Sequence, residues 1–121
     1  GIIIPKRGSV GLNEVVAKTS AGAIEYIPVA KVTNIAQMIE KLKKEGIWVA
    51  GAEAGGQSMY DTDLKGAMAL VIGSEGEGIS HLVKEKCDFL CEIPMYGNIN
   101  SLNASCAAAV MMYEIVRQRN L

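Results

Sequence analysis

Residues able to hold or transform a ligand concentrate in two loops between positions 73 and 105. In the first, Gly73-Ser74-Glu75-Gly76-Glu77-Gly78, three glycines follow an apolar run and precede a short helical pattern. Glycine allows close backbone approach and positive φ, so main-chain amides in such a loop can wrap a ligand. The order G-x-x-G-x-G is not the dinucleotide fingerprint, and no lysine follows as a phosphate loop requires. Two carboxylates beside the loop repel phosphate and tolerate a cation such as a sulfonium. A glycine turn between strand and helix is also an ordinary structural device, and this loop alone does not separate the two readings.

The second loop runs from Ile93 to Ser105, IPMYGNINSLNAS. It interrupts a strand with Pro94, crosses Gly97 and the asparagines Asn98, Asn100 and Asn103, and enters an apolar helix. Ser101 is a natural N-cap there, with Asn103 in the first turn. Capping accounts for one of these polar residues and leaves the others unexplained.

The remaining elements must bring these loops together. Gly1 to Ile4 reads as a buried strand ended by Pro5, Asn13 to Thr19 as a short helix, and Ile24 to Val29 as a strand broken by Pro28. From Thr33 or Asn34, Ile35, Met38, Ile39 and Leu42 recur at helical spacing, with Lys41, Lys43 and Lys44 near the end and Gly46 at the stop. Ile47 to Ala52 is a strand whose end meets Gly51, Gly55 and Gly56, read as a turn or loop. Ala67 to Ile72 is apolar on both faces and is predicted as a central parallel strand. Ile79 to Cys87 should be a short helix, Asp88 to Ile93 a strand, and Leu102 to Arg119 a long helix. Alternating strands and helices predict an α/β fold with a mostly parallel sheet and helices on both faces. Open sheets of this kind place ligands at the C-terminal ends of their strands, where both loops lie.

A chain of 121 residues, half of them hydrophobic, supports one packed domain over 1–121. Apolar runs fall far short of the roughly 20 residues that cross a bilayer, so a cytoplasmic protein without membrane contact is expected. Cys87, Cys91 and Cys106 show no paired spacing and only one histidine could join them, which predicts reduced thiols and no metal. Cys106 reads as a buried structural thiol. A formal net charge of -1 excludes coating of nucleic acid by bulk electrostatics, so any RNA contact must be local.

IGSEGEGIS and IPMYGNINSLNASCAAA closely resemble the second and third motifs of the SpoU-type (TrmH-like) RNA 2'-O-ribose methyltransferases of the SPOUT superfamily. The upstream stretch PKRGSVGLNEVVAKTSAGAIEYIPVAKV also looks like this family, so the resemblance covers nearly the whole chain. It implies a C-terminal trefoil knot, a homodimer, S-adenosylmethionine as cofactor and rRNA or tRNA as substrate. Carried onto this sequence, Gly73, Ser74, Gly76, Gly78, Ile93, Met95, Ser101 and Leu102 would surround the cofactor. Glu75, Ser101 and Asn103 match catalytic positions. The family's first motif, an Asn followed by Arg-Thr-Ala that carries a catalytic arginine, is not found, and Arg7, Arg117 and Arg119 do not match its context. The resemblance therefore implies an N-terminally truncated methyltransferase domain. A catalytically incomplete knotted RNA-binding or dimerisation module is the alternative, and a flavodoxin-like nucleotide domain a third reading that leaves SLNAS unexplained.

His81 and the Lys41, Lys43, Lys44 cluster each have a bland explanation: an exposed residue on an early helical turn, and cations complementing a helix C-terminus.

Overall fold

The computed structural model describes residues 1–6, 26–74, 76–99 and 102–121. They belong to two compact units, Gly1–Met38 and Ile39–Leu121. The helix predicted over 13–19 lies outside the described residues.

In the first unit, β1 (Ile2–Pro5) pairs in parallel with β2 (Val29–Val32), Ile2 standing opposite Val29. Pro28 lacks an N–H, and among the described residues β2 begins only after it; Ile24 and Glu25 of the expected strand lie outside the described residues. The Pro28 carbonyl still serves the pairing by accepting from the Ile2 N–H at 2.9 Å. The expectation that β1 is buried fails, since Ile2 and Ile3 are exposed. Among the described residues β1 is paired on a single edge.

Helix α1 (Ile35–Lys44) follows the predicted pattern. The Asn34 side-chain oxygen accepts from the Gln37 N–H at 3.0 Å, the geometry of an N-cap. Gly46, at φ 82°, ends the helix in the left-handed conformation that glycine adopts without strain.

The second unit is built on three parallel strands in the order β4 (Met68–Val71), β3 (Trp48–Ser58) and β5 (Phe89–Glu92). Two expectations are corrected here. Among the described residues β4 is an edge strand of this sheet, and β3 is central, with Val49 and Ala50 fully shielded. Nor do Gly51, Gly55 and Gly56 end β3, which runs on to Ser58. Ala52 and Gln57 both pair with Cys91, so residues 53–56 form a bulge inside a continuing strand. A Cβ on Gly56 would stand 2.6 Å from the Leu90 carbonyl oxygen, so this glycine serves close strand approach rather than a turn.

The strand β3 leads into a 3₁₀ turn at Met59–Asp61, and β4 is followed by the glycine loop and the short helix α2 (His81–Lys86). Helix α3 (Ala104–Arg119) closes the unit. Met111 and Ile115, one helical turn apart, enter a core with Ala50, Met59, Leu64 and Cys91. Each such side chain contributes about 1.5–3 kcal/mol of transfer free energy. Met112 and Val116, on the next positions around the helix, are exposed. Gln118, buried on the last turn, binds the loop after the 3₁₀ turn through the Leu64 N–H, which donates to its Oε1 at 2.8 Å. At the start of β5 the Asp88 carboxylate accepts from the Val49 N–H at 2.8 Å and lies 3.4 Å from Lys43 Nζ. Among the described residues no helix is long and apolar enough to cross a membrane.

All three cysteines are free thiols, but Cys106 is exposed, against the expectation of a buried one. It lies on the first turn of α3, where the core-facing positions begin only further along. Burial pushes the Cys87 and Cys91 thiols above their ordinary range, so both stay protonated and poorly reactive near neutrality. Under native conditions a thiol reagent should modify Cys106 quickly, the half-buried Cys87 more slowly, and the buried Cys91 only on unfolding. Mass spectrometry of a brief iodoacetamide pulse checks this, and equal labelling of all three would contradict the burial.

Candidate functional site

Because β4, β3 and β5 are parallel, their C-terminal ends lie together, with Gly51 in register with both Val71 and Leu90. The glycine loop leaves this end after Val71 and the second loop after Glu92. The bulge of β3 begins there too. Sheet topology thus brings three loops to one edge.

The glycine loop is folded back on itself. Ser74 and Gly78 form an antiparallel bridge, the Gly78 N–H donating to the Ser74 oxygen at 2.8 Å. A Cβ on Gly73 would stand 2.2 Å from the Gly78 carbonyl carbon, so only glycine fits. Gly76 and Gly78 take φ of 87° and 70°. Ile79 is buried behind the loop, and Ser80 caps α2. His81, as expected, is exposed, its Nε2 2.9 Å from Glu85 Oε1.

A cleft of about 120 Å³ opens beside this edge. It is lined by Ala52, Glu53 and Ala54 of the β3 strand and bulge, by Cys91 and Glu92 of β5, by Ile93, Met95 and Leu102 of the second loop, and by Ala107 and Met111 of α3. Three of the predicted cofactor residues, Ile93, Met95 and Leu102, therefore line the same cleft. Gly73, Ser74, Gly76 and Gly78 are not among its described lining, and Glu75 and Ser101 lie outside the described residues. The volume is below the 300–1,000 Å³ of pockets that enclose a whole drug-sized ligand. It accommodates one part of a nucleoside-sized molecule.

Sequence reasoning missed Glu53. Its Oε1 lies 3.3 Å from Lys84 Nζ on α2, while its Oε2 is buried without a hydrogen-bond partner among the described residues. The other lining carboxylate is engaged, Glu92 Oε2 accepting from the Gly55 N–H at 3.0 Å. The available signal was an acid directly after the apolar run Ile47–Ala52, flanked by alanines.

Asn103, read as a first-turn residue behind a Ser101 cap, is itself the N-cap of α3. Its Oδ1 accepts from the Cys106 N–H at 2.9 Å and the Ser105 hydroxyl at 3.0 Å. Both side chains are competent caps, and the choice rests on where the helix starts, which tertiary packing decides.

A family model described as the SpoU rRNA Methylase family matches residues 1–113. The chain belongs to that family. A Staphylococcus haemolyticus protein named as a TrmH family tRNA/rRNA methyltransferase is 57% identical over 121 residues, covering 99% of this chain and 49% of its own length. Among solved structures, the SpoU methyltransferase AviRb from Streptomyces viridochromogenes, in complex with AdoMet, matches with a TM-score of 0.87 at 27% identity, over 96% of this chain and 48% of AviRb. A structure described as an RNA 2'-O ribose methyltransferase matches with a TM-score of 0.85 at 25% identity, over 98% of this chain and 46% of the other. The chain spans about half the length of the curated relatives it matches.

In this SpoU-family chain the Asn103 amide has a structural duty that can be separated from any chemical one. Asn103→Ala should cost about 1 kcal/mol of stability through the lost cap, whereas Asn103→Asp keeps a capping oxygen and should stay within about 0.5 kcal/mol of the parent. Thermal melts of the two variants check this, and equal losses would show that the oxygen is not what holds the helix start.

Proposed function

We propose that this chain supplies the S-adenosylmethionine pocket of an RNA 2'-O-ribose methyltransferase acting on rRNA or tRNA. The observation that carries the reading is that Ile93, Met95 and Leu102 together line a cleft at the C-terminal edge of a parallel sheet. The AdoMet complex of AviRb, a fold neighbour, supports the choice of cofactor.

The residues present suit that group. Apolar side chains of Ile93, Met95 and Leu102 can sandwich an adenine, and the Glu92 carboxylate in the lining suits a cationic ligand better than a phosphate. When bound, S-adenosylmethionine supplies an electrophilic methyl group on a sulfonium centre. The chain's own part is to hold the two reactants in line, and such positioning can lower a barrier by roughly 7–11 kcal/mol. Glu75, Ser101 and Asn103 are the polar groups proposed to orient the acceptor ribose, and the Gly73–Gly78 loop is proposed to hold the cofactor with Ser74 and Gly76. The proposal extends to a knotted C-terminal region, a homodimer and a cytoplasmic setting, as the resemblance of the two motifs implies. The resemblance assigns removal of the acceptor proton to an arginine of the first motif, which is not among these residues.

The alternative is a binding or dimerisation module without transfer activity. A methyl-transfer assay with tritiated S-adenosylmethionine and bulk rRNA and tRNA, run on this chain and on one extended upstream, decides between them. Cofactor binding by both with transfer only by the extended form supports the proposal. Absence of cofactor binding to either would end it.

A further inference from the structure

The bulge of β3 carries a polar group that the family's quoted motifs do not include. Two strand positions, Ala52 and Gln57, face the single partner Cys91, and the arc between them holds Glu53 and Ala54 at the cleft. Bulges near sites re-aim side chains in this way. Among the described residues Glu53 is held from one side only: Lys84 Nζ meets Oε1 at 3.3 Å, and Oε2 is buried with no partner. A buried carboxylate oxygen without a hydrogen bond is unfavourable. The terminal torsion of a glutamate is soft, so a small turn of the carboxylate presents Oε2 to the cleft.

We infer that Glu53 Oε2 accepts a hydrogen bond from a ribose hydroxyl of the bound nucleoside, with Lys84 acting as its positioning residue. An ionised carboxylate accepts only, so the ligand must donate. Lys84 already supplies the countercharge, so a neutral donor completes the site without adding a second cation. Much of the remaining lining is apolar (Ile93, Met95, Leu102 and Met111), which suits the base and leaves the hydroxyls for Glu53. Carboxylates reading ribose hydroxyls at the end of a parallel strand are a known solution in other α/β folds. Lys84 lies on α2, directly after the glycine loop, so the same ion pair ties that loop's helix to the cleft.

This inference rests on reading the cleft as the cofactor pocket, and its test separates the two. Calorimetric titration of the 121-residue chain with S-adenosylhomocysteine and with its 2'-deoxy and 3'-deoxy analogues comes first. Glu53→Ala should weaken S-adenosylhomocysteine binding about 10–100-fold, the range of a hydrogen bond to a charged group. One deoxy analogue should bind the parent weakly and show no further loss in the variant, because hydroxyl and carboxylate are then a coupled pair. Glu53→Gln keeps the side-chain shape and should lose roughly half of that effect on a logarithmic scale; it carries the test if the alanine variant melts early. Lys84→Met should weaken binding less than Glu53→Ala and reduce the penalty of the same deoxy analogue. Deoxy penalties unchanged in both Glu53 variants would overturn the inference while leaving the cofactor reading intact. No binding by the parent chain would overturn both.

Discussion

Gly73→Ala should lower the melting temperature by roughly 10–15 °C and abolish measurable S-adenosylmethionine binding. The added methyl would stand 2.2 Å from the Gly78 carbonyl carbon and 2.4 Å from the Ile79 nitrogen, both backbone atoms that cannot swing aside. Relief requires opening the Ser74–Gly78 bridge and pulling Ile79 out of its buried place. Overpacking of this kind costs about 3 kcal/mol or more, and each kcal/mol moves the melt of a domain this size by about 3–5 °C. Gly76→Ala is the control. It meets nothing within 4 Å but has φ of 87°, so its cost is the left-handed strain of about 1–2 kcal/mol alone. Differential scanning fluorimetry with and without ligand reads both variants. A Gly73→Ala protein that melts no lower than Gly76→Ala would show that the loop is not closed as described.

The second large effect lies away from the cleft. Gln118→Ala should cost about 2–4 kcal/mol, because one side chain satisfies a cluster of buried groups. Its Oε1 accepts from the Leu64 N–H at 2.8 Å, and its Nε2 donates to the Thr62 carbonyl at 3.0 Å and to Glu114 Oε2 at 2.9 Å. Truncation leaves an N–H and a carbonyl without these partners beside the fully buried Leu64. Urea denaturation gives the number, and Met112→Ala, at an exposed position of the same helix, should stay within about 0.5 kcal/mol of the parent. A loss in Gln118→Ala no larger than that would mean water replaces the bonds freely. The same cluster has a pH signature. The Arg117 guanidinium, donating to Glu114 at 2.6 and 3.0 Å, holds that carboxyl below its ordinary value near 4.5. A lowered folded-state value means the stabilisation is complete above the ordinary value and is lost as pH falls through the lowered one. Glu114→Gln should therefore flatten the acid limb of the stability profile.

Local signals carried the elements that local physics controls. Asn34 and Gly46 bracket α1 because a cap and a left-handed glycine act within a turn of the helix they end. The glycine loop and the second loop were legible for the same reason, and three of the second loop's residues line the cleft. Pairing order was not legible. The run Ala67–Ile72 is apolar on both faces, yet centrality belongs to β3, which the alternation of glycine and alanine disguised as a strand end. A bulge is defined against a partner strand, so nothing inside residues 53–56 alone could distinguish it from a turn. Glu53 escaped notice for that reason, since its significance comes from Lys84 and from the cleft, 31 residues along the chain in one case. Cys106 was misplaced because its position on the helix surface depends on where α3 begins, and that start is set by Asn103 rather than Ser101.

The shared partner of Ala52 and Gln57 makes the arc between them a length-tolerant insert. Residues before it and after it are registered independently to β5, so adding or deleting a position within 53–56 need not slide any other residue of the sheet to its opposite face. A lineage could therefore exchange the groups that meet a ligand here while leaving the scaffold's alignment untouched, which separates the evolution of recognition from the upkeep of the fold.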